Sequence, residues 1–182
     1  MMKTINWLFI IAGTFIMMYV MMATGKTLKT PATPLGILDL EFAYNSSKTA
    51  HVVKAWSAIN PANIDNIKVA IRNTWLDFIF LFFYSLFLFY CCRNIAESFT
   101  GFLKKTGNIF AIGALYAGLL DIAENAGMLL TLNDFSSNNI ALFTTLCAVI
   151  KWLLALLALI YTLLFGPLFL LKKLEKKNKT GK

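Results

Sequence analysis

Three polar side chains that can carry protons or bind cations stand within one apolar run of this sequence. Asp121, Glu124 and Asn125 lie in YAGLLDIAENAGMLL at spacings of i, i+3 and i+4, which place them on one face of a helix. Inserting a charged side chain at the centre of a bilayer costs at least about 2.5–3.5 kcal/mol on insertion scales. Charged residues at such positions are therefore candidates for a functional site. Two neighbouring carboxyls there need a cation or hydrogen-bond donors to compensate their charge.

The cation that best meets this need is Lys151, the only charged residue of the last apolar run. The third and fourth apolar runs are consecutive, so their helices are expected to cross the membrane in opposite directions. Lys151 is then expected at the depth of Glu124. One interpretation is an ion pair with Glu124 or Asp121 that only aligns two helices. The other is a polar site for a proton, a small cation or a lipid head group. Ala114 and Gly118 continue the same face, and small residues there let another helix approach closely.

Four more ionisable residues are candidates outside this face. Asp77 stands at the start of the second apolar run. It either lines the same site or lies in water at the membrane interface, and the interface is the position we favour. His51, Asp39 and Glu41 fall in the first loop and could in principle bind a metal ion. A single histidine cannot supply the histidine-rich ligand sets of most zinc or di-iron enzymes, so no metal and no cofactor is expected.

The composition indicates that these residues belong to a membrane protein. Of 182 residues, 58% are hydrophobic and 14% are charged, and the mean hydropathy is +0.67. Soluble domains carry about 45–50% apolar and about 25% charged residues, which argues against a cytosolic enzyme. The net charge of +8 comes without aromatic–basic interleaving or a nucleic-acid-binding motif, so no nucleic-acid partner is expected.

Four apolar runs are long enough, or nearly so, to cross a hydrocarbon core of about 30 Å as helices. We expect transmembrane helices at about residues 5–22, 75–92, 109–132 and 145–171. The prediction is an all-α fold, one membrane domain over residues 1–182, built as an integral membrane bundle of four transmembrane helices. The extracytoplasmic loop 23–74 forms a small helical cap on the outer membrane face. A long helix is expected from about Pro61, with Asn60 as its cap, to Cys92.

The distribution of lysine and arginine predicts the orientation of these helices. With the N-terminus inside, ten of these residues lie on the inner side and six in the outer loop, so both termini are expected in the cytoplasm. Six of the ten belong to the tail 172–182, which we expect to contact anionic lipid. The expected partners are the lipid bilayer and either a second copy of the chain, as a homo-oligomer, or another membrane protein.

Two short segments carry a resemblance to other sequences. With LDLEFA at 38–43 and LDIAEN at 120–125, the chain resembles small bacterial four-helix membrane proteins that have no assigned function. The similarity runs from the first loop through the third helix. It implies a multi-pass protein of the bacterial inner (cytoplasmic) membrane and joins Asp39, Glu41, Asp121, Glu124 and Asn125 in one cluster. It implies no reaction.

The sequence contains no G-x-S-x-G, H-E-x-x-H, P-loop or dinucleotide-binding motif, so no reaction class is indicated. The leading interpretation is a small polytopic protein with a polar site of Asp121, Glu124, Asn125 and Lys151. That site binds a proton, a small cation or a lipid head group in transport or in a membrane assembly. One alternative is a structural or accessory subunit in which these residues only lock helices together. The other is a membrane enzyme acting on lipid or quinone, with Glu124 or Asp121 as general acid or base.

Overall fold

The computed structural model describes the chain at residues 4–58 and 64–180, with side chains described at 7–58 and 64–174. Within these ranges the chain is helical and contains no strand. The long helices are α1 (Thr4–Thr24), α4 (Asn66–Glu97), α5 (Gly101–Leu132) and α6 (Asn138–Thr180). The first loop contains a 3-10 turn (Lys26–Leu28), α2 (Ile37–Glu41) and α3 (Ser46–Ser57).

The four long helices are each long and apolar enough to cross a membrane. They extend past most of the apolar runs that predicted them. For example, α5 begins at Gly101 rather than at about 109, and α6 begins at Asn138 rather than at about 145. Helix α6 continues through Pro167. The bounds differ because a helix ends where its terminal backbone groups find other partners, not where its side chains cease to be apolar.

A capping side chain sets the start of α4 at Asn66, five residues after the expected start at about Pro61. The Asp65 carboxylate accepts a 3.1 Å hydrogen bond from the backbone N–H of Lys68, which satisfies one of the free donors in the first turn. The same hydrogen bond lowers the pKa of the Asp65 carboxyl. Asn60 and Pro61 lie outside the described residues.

Helices α4, α5 and α6 pack against one another, and α1 packs mainly against α4. Small buried residues on α5, including Ala114 and Gly118, face this contact. A Cβ added at Gly118 would lie 3.0 Å from the Cβ of Ser85 on α4. The close approach of α4 and α5 therefore depends on the missing side chain, as the spacing of these residues predicts.

The first loop covers one end of this bundle, and we call residues 26–58 the cap and this end the cap end. Trp56 on α3 is 1% exposed. Its Nε1 donates hydrogen bonds to the backbone carbonyl of Leu28 at 3.0 Å and to Thr33 Oγ1 at 3.2 Å. An apolar cluster joins the cap to the long helices through Leu28, Leu40, Val52, Trp56, Ala70, Met128 and Leu132.

Helix α2 reaches past the cap end and lies beside α5 and α6. Thr145 Oγ1 of α6 donates a 2.9 Å hydrogen bond to the backbone carbonyl of Glu41, and Leu40 is 2% exposed. Helix α2 is held there because it carries both an apolar side chain and a carboxylate whose partners lie inside the bundle. The position of the cap on the outer membrane face stays a prediction.

We expect Trp56→Phe to loosen the cap without unfolding the long helices. The smaller phenyl ring leaves part of the apolar site empty and both Nε1 hydrogen bonds disappear, which together cost about 1–3 kcal/mol. Hydrogen exchange followed by mass spectrometry should show faster exchange in residues 26–58. The matched variant Trp75→Phe alters an indole that is 59% exposed and should leave exchange unchanged. Identical cap exchange in Trp56→Phe and the parent would contradict this account.

Candidate functional site

Lys151 of α6 lies in the middle of a buried group of carboxylates. Its Nζ is 2.9 Å from Asp121 Oδ1 and 2.9 Å from Glu124 Oε1. It is also 2.8 Å from Glu124 Oε2 and 3.5 Å from Glu41 Oε2. All four side chains are 8% exposed or less. An ammonium group has three hydrogens to donate, so these three carboxylates occupy its donors.

Two aromatic side chains donate further hydrogen bonds to Asp121 and Glu41, while Glu124 Oε2 has only its ionic contact with Lys151. The Tyr84 hydroxyl of α4 donates to Asp121 Oδ2 at 2.8 Å, and Trp152 Nε1 donates to Glu41 Oε2 at 3.0 Å. Sequence reasoning did not assign Trp152 to the site. Its position next to Lys151 could have indicated it, because consecutive residues of a helix lie on adjacent faces and can contact the same neighbouring helix.

Asp77 of α4 joins the same group through Asn125. Asn125 is 0% exposed, and its Nδ2 donates a 2.7 Å hydrogen bond to Asp77 Oδ2. Asn125 Oδ1 has no hydrogen-bond partner among the described residues, and within that part of the chain no lysine or arginine forms an ion pair with Asp77. Asp77 is half-buried and contacts Asn125 on the neighbouring helix, as expected if it lines the same site, and its position at the membrane interface stays a prediction.

These residues form one unit with an excess of acidic groups. We call it the Lys151 cluster, and its members are Glu41, Asp77, Asp121, Glu124, Asn125 and Lys151. Four carboxylates and one ammonium, if all were ionised, would leave three uncompensated negative charges. Burying unpaired charge costs several kcal/mol per ion. The arrangement therefore favours binding of protons or of a further cation.

The Lys151 cluster lies far from the basic end of the bundle. On α6, Lys172 lies 21 positions after Lys151, about 32 Å of helix at 1.5 Å per residue. On α5, Asp121 lies 16 positions after Lys105, or about 24 Å. Trp75 and Trp152 are 59% and 39% exposed and stand within two residues of Asp77 and Lys151. Exposed tryptophans are typical of membrane–water interfaces.

The structure separates the three residues considered for a metal ion. Glu41 faces Lys151, whereas Asp39 Oδ2 accepts a 2.8 Å hydrogen bond from the backbone N–H of Leu35, and Asp39 lines a pocket in the cap with His51. Residues two apart in a helix point to nearly opposite sides, which explains the separation of Asp39 from Glu41. In the described ranges no three His, Cys, Asp or Glu side chains are placed to hold a metal ion.

Packed side chains enclose the two central carboxyls. The Asp121 and Glu124 side chains are 3% and 0% exposed, so this conformation gives a lipid or quinone no direct contact with either proposed acid or base. No protein-family model, characterised protein or solved structure matches this chain. The resemblance of LDLEFA and LDIAEN to small bacterial membrane proteins stays a prediction, and function is argued from the site itself.

Proposed function

We propose that this chain is a multi-pass membrane protein whose Lys151 cluster binds a proton. The observation that carries the proposal is a group of four carboxyls that contains a single ammonium, with three of the carboxyls in contact with Lys151 and the fourth, Asp77, joined through Asn125. Lys151 Nζ occupies the point on which three of these carboxylates converge, so a second cation there would meet a positive charge. Protons on the carboxyls relieve the excess negative charge without that repulsion.

Asp77 is the carboxyl that we assign to carry the proton. Its described hydrogen-bond donor is the Asn125 amide, whereas Asp121, Glu124 and Glu41 each contact Lys151. An amide can donate from its nitrogen or accept at its oxygen. An ionised Asp77 accepts from Asn125 Nδ2, and a protonated Asp77 donates to Oδ1 once the amide turns over. In the protonated state the amide oxygen, which has no partner in this structure, accepts from Asp77, and Nδ2 gives up its bond to Asp77.

The membrane placement in this proposal has its own support. Four helices have the length and apolarity of membrane spans, and consecutive long helices are antiparallel. The ten-to-six distribution of basic residues supports an orientation with both termini in the cytoplasm, with the tail 172–182 against anionic lipid and the cap outside. We extend the proposal to the bacterial inner membrane on the resemblance alone, with proton binding serving transport or a membrane assembly.

We expect Asp77→Asn to remove a protonated carboxyl from the protein. Infrared difference spectra of the purified chain, recorded while the pH is raised, should show the loss of a carboxylic-acid carbonyl band in the parent. Asp77→Asn should lack that band, because asparagine keeps the size and the hydrogen bonding but has no titrating proton.

The matched control is Glu97→Gln, which alters a carboxylate that is 59% exposed and paired with Arg93. This variant should keep the band. If the band is present in Asp77→Asn and absent in Glu124→Gln, Glu124 carries the proton. That result would overturn the assignment of the proton to Asp77. Spectra of the parent with no carboxylic-acid band at any pH at which the protein stays folded would overturn proton binding itself.

A helix-locking role is the second candidate, and a separate observation favours it. Lys151 links α6 to Asp121 and Glu124 on α5 and to Glu41 on α2, so one ammonium holds three elements together. Under this hypothesis, substitutions in the cluster lower stability but change no proton uptake. The infrared experiment therefore separates the two candidates, because a purely structural cluster shows no titrating carboxyl.

A further inference from the structure

We propose a second binding site, in the cap, for the head group of a zwitterionic phospholipid. A pocket of about 310 Å³ lies between α2 and α3, a volume in the range of small-ligand sites. Its wall includes Asp39 of α2 and Phe42, the residue after α2, while Glu41 of α2 contacts Lys151. The pocket and the cluster are therefore separate sites that share α2.

The polar side chains of the pocket carry charges of both signs. Lys48 and His51 stand one turn apart on α3, and Asp39 faces them from α2. The Lys48 ammonium and a His51 ring N–H can donate hydrogen bonds to phosphate oxygens, which are strong acceptors. Asp39 uses Oδ2 for the Leu35 N–H, and its carboxylate can also accept from an ammonium. A phosphate joined to an amine by two carbons presents both complementary charges.

The apolar side of the pocket favours a lipid over a free solute. Leu35, Leu38 and Phe42 line it, and Leu35 and Phe42 are 56% and 38% exposed. Exposed leucine and phenylalanine beside a polar pocket match a ligand that has both a charged head and hydrocarbon chains.

The height of the pocket is that of a membrane interface. Helix α2 is tied to α6 at Thr145, and exposed apolar residues of α6 begin at Leu142, which is 49% exposed. Along the bundle axis, the pocket therefore lies at about the height at which the apolar surface of α6 begins. In a membrane, lipid head groups lie at that height. This inference rests on the membrane placement in the proposed function, and not on the proton at Asp77.

Native mass spectrometry of the full chain in detergent micelles tests the site with three probes: phosphatidylethanolamine, phosphatidylglycerol and free phosphoethanolamine. We expect the parent to retain phosphatidylethanolamine in preference to phosphatidylglycerol. The double variant Lys48→Ala, His51→Ala should bind phosphatidylethanolamine about fivefold more weakly, as expected from two partly exposed charge-assisted contacts. Asp39→Asn keeps the hydrogen bond to Leu35 and should lose the preference for the amine-bearing lipid.

The matched control is Lys54→Ala, which removes an exposed lysine of α3 that does not line the pocket. It should bind lipid as the parent does. Equal retention of phosphatidylethanolamine by the parent and by the Lys48, His51 double variant would overturn the site. If free phosphoethanolamine displaces phosphatidylethanolamine at a concentration equal to that of the lipid, the site recognises the head group alone. That result would overturn the proposal that its ligand is a lipid. Asp77→Asn should bind lipid normally, so failure of the proton site leaves this test intact.

Discussion

Lys151→Met is expected to destabilise the bundle by about 3–5 kcal/mol, because it leaves buried carboxylates without their cation. Methionine has a similar length and flexibility, so packing changes little while the charge disappears. Three carboxylates within 3.5 Å of Nζ lose their shared partner. Denaturant unfolding of the purified protein in mixed micelles, followed by circular dichroism, measures the change. The control is Lys172→Met near the opposite end, where an exposed lysine donates to the Ser98 carbonyl and little change is expected.

A double-mutant cycle with Glu124→Gln identifies the origin of that loss. Glutamine has nearly the shape of glutamate and no charge, so Lys151→Met combined with Glu124→Gln leaves one fewer unpaired carboxylate. We expect the double variant to be more stable than the sum of the two single losses predicts, by about 1–3 kcal/mol, as for residues in direct contact. A double variant as unstable as that sum would show that the pairing of Lys151 with Glu124 does not contribute to stability.

The two parts of the Lys151 cluster differ in how far the sequence predicts them. Asp121, Glu124 and Asn125 share a helix face, which their i, i+3, i+4 spacing reveals. Lys151 follows from the antiparallel order of two apolar helices. Glu41 is 110 residues from Lys151 along the chain, and no periodicity links them. Its place depends on the packing of a loop, which tertiary contacts determine and local patterns do not encode.

The position of helix α2 in the cap is also set by tertiary contacts that the sequence pattern does not reveal. Helix α2 has five residues, too few for an apolar periodicity to show which way it faces. Its direction is set in part by Gly36, whose φ of 69° lies in a region that residues with a Cβ rarely adopt. The expectation of a helical cap agrees with the structure. Its depth does not follow from the sequence, because it depends on the buried partners of Leu40 and Glu41.

Gly107→Ala is expected to lower the stability of the bundle by about 1–3 kcal/mol through overpacking. A Cβ at this position of α5 would overlap the ring and hydroxyl of Tyr161 and lie 2.8 Å from the Cβ of Ala96. Tyr161 is 2% exposed, and its hydroxyl donates to the Leu103 carbonyl at 3.0 Å, so the ring cannot turn away freely. The added methyl group must therefore push α5 away from α6 and α4.

Gly113→Ala on the same helix is the matched control for this effect. A Cβ there would meet Leu154 Cδ2 at 3.5 Å, an ordinary van der Waals distance. Both substitutions gain the same helix propensity, up to about 1 kcal/mol, so the difference between the two unfolding free energies isolates the contact with Tyr161 and Ala96. We expect Gly113→Ala to be as stable as the parent or slightly more stable. Equal stabilisation by both substitutions would mean that α5 and α6 are not in close contact at Gly107, and that the small residues of α5 do not determine how closely the helices pack.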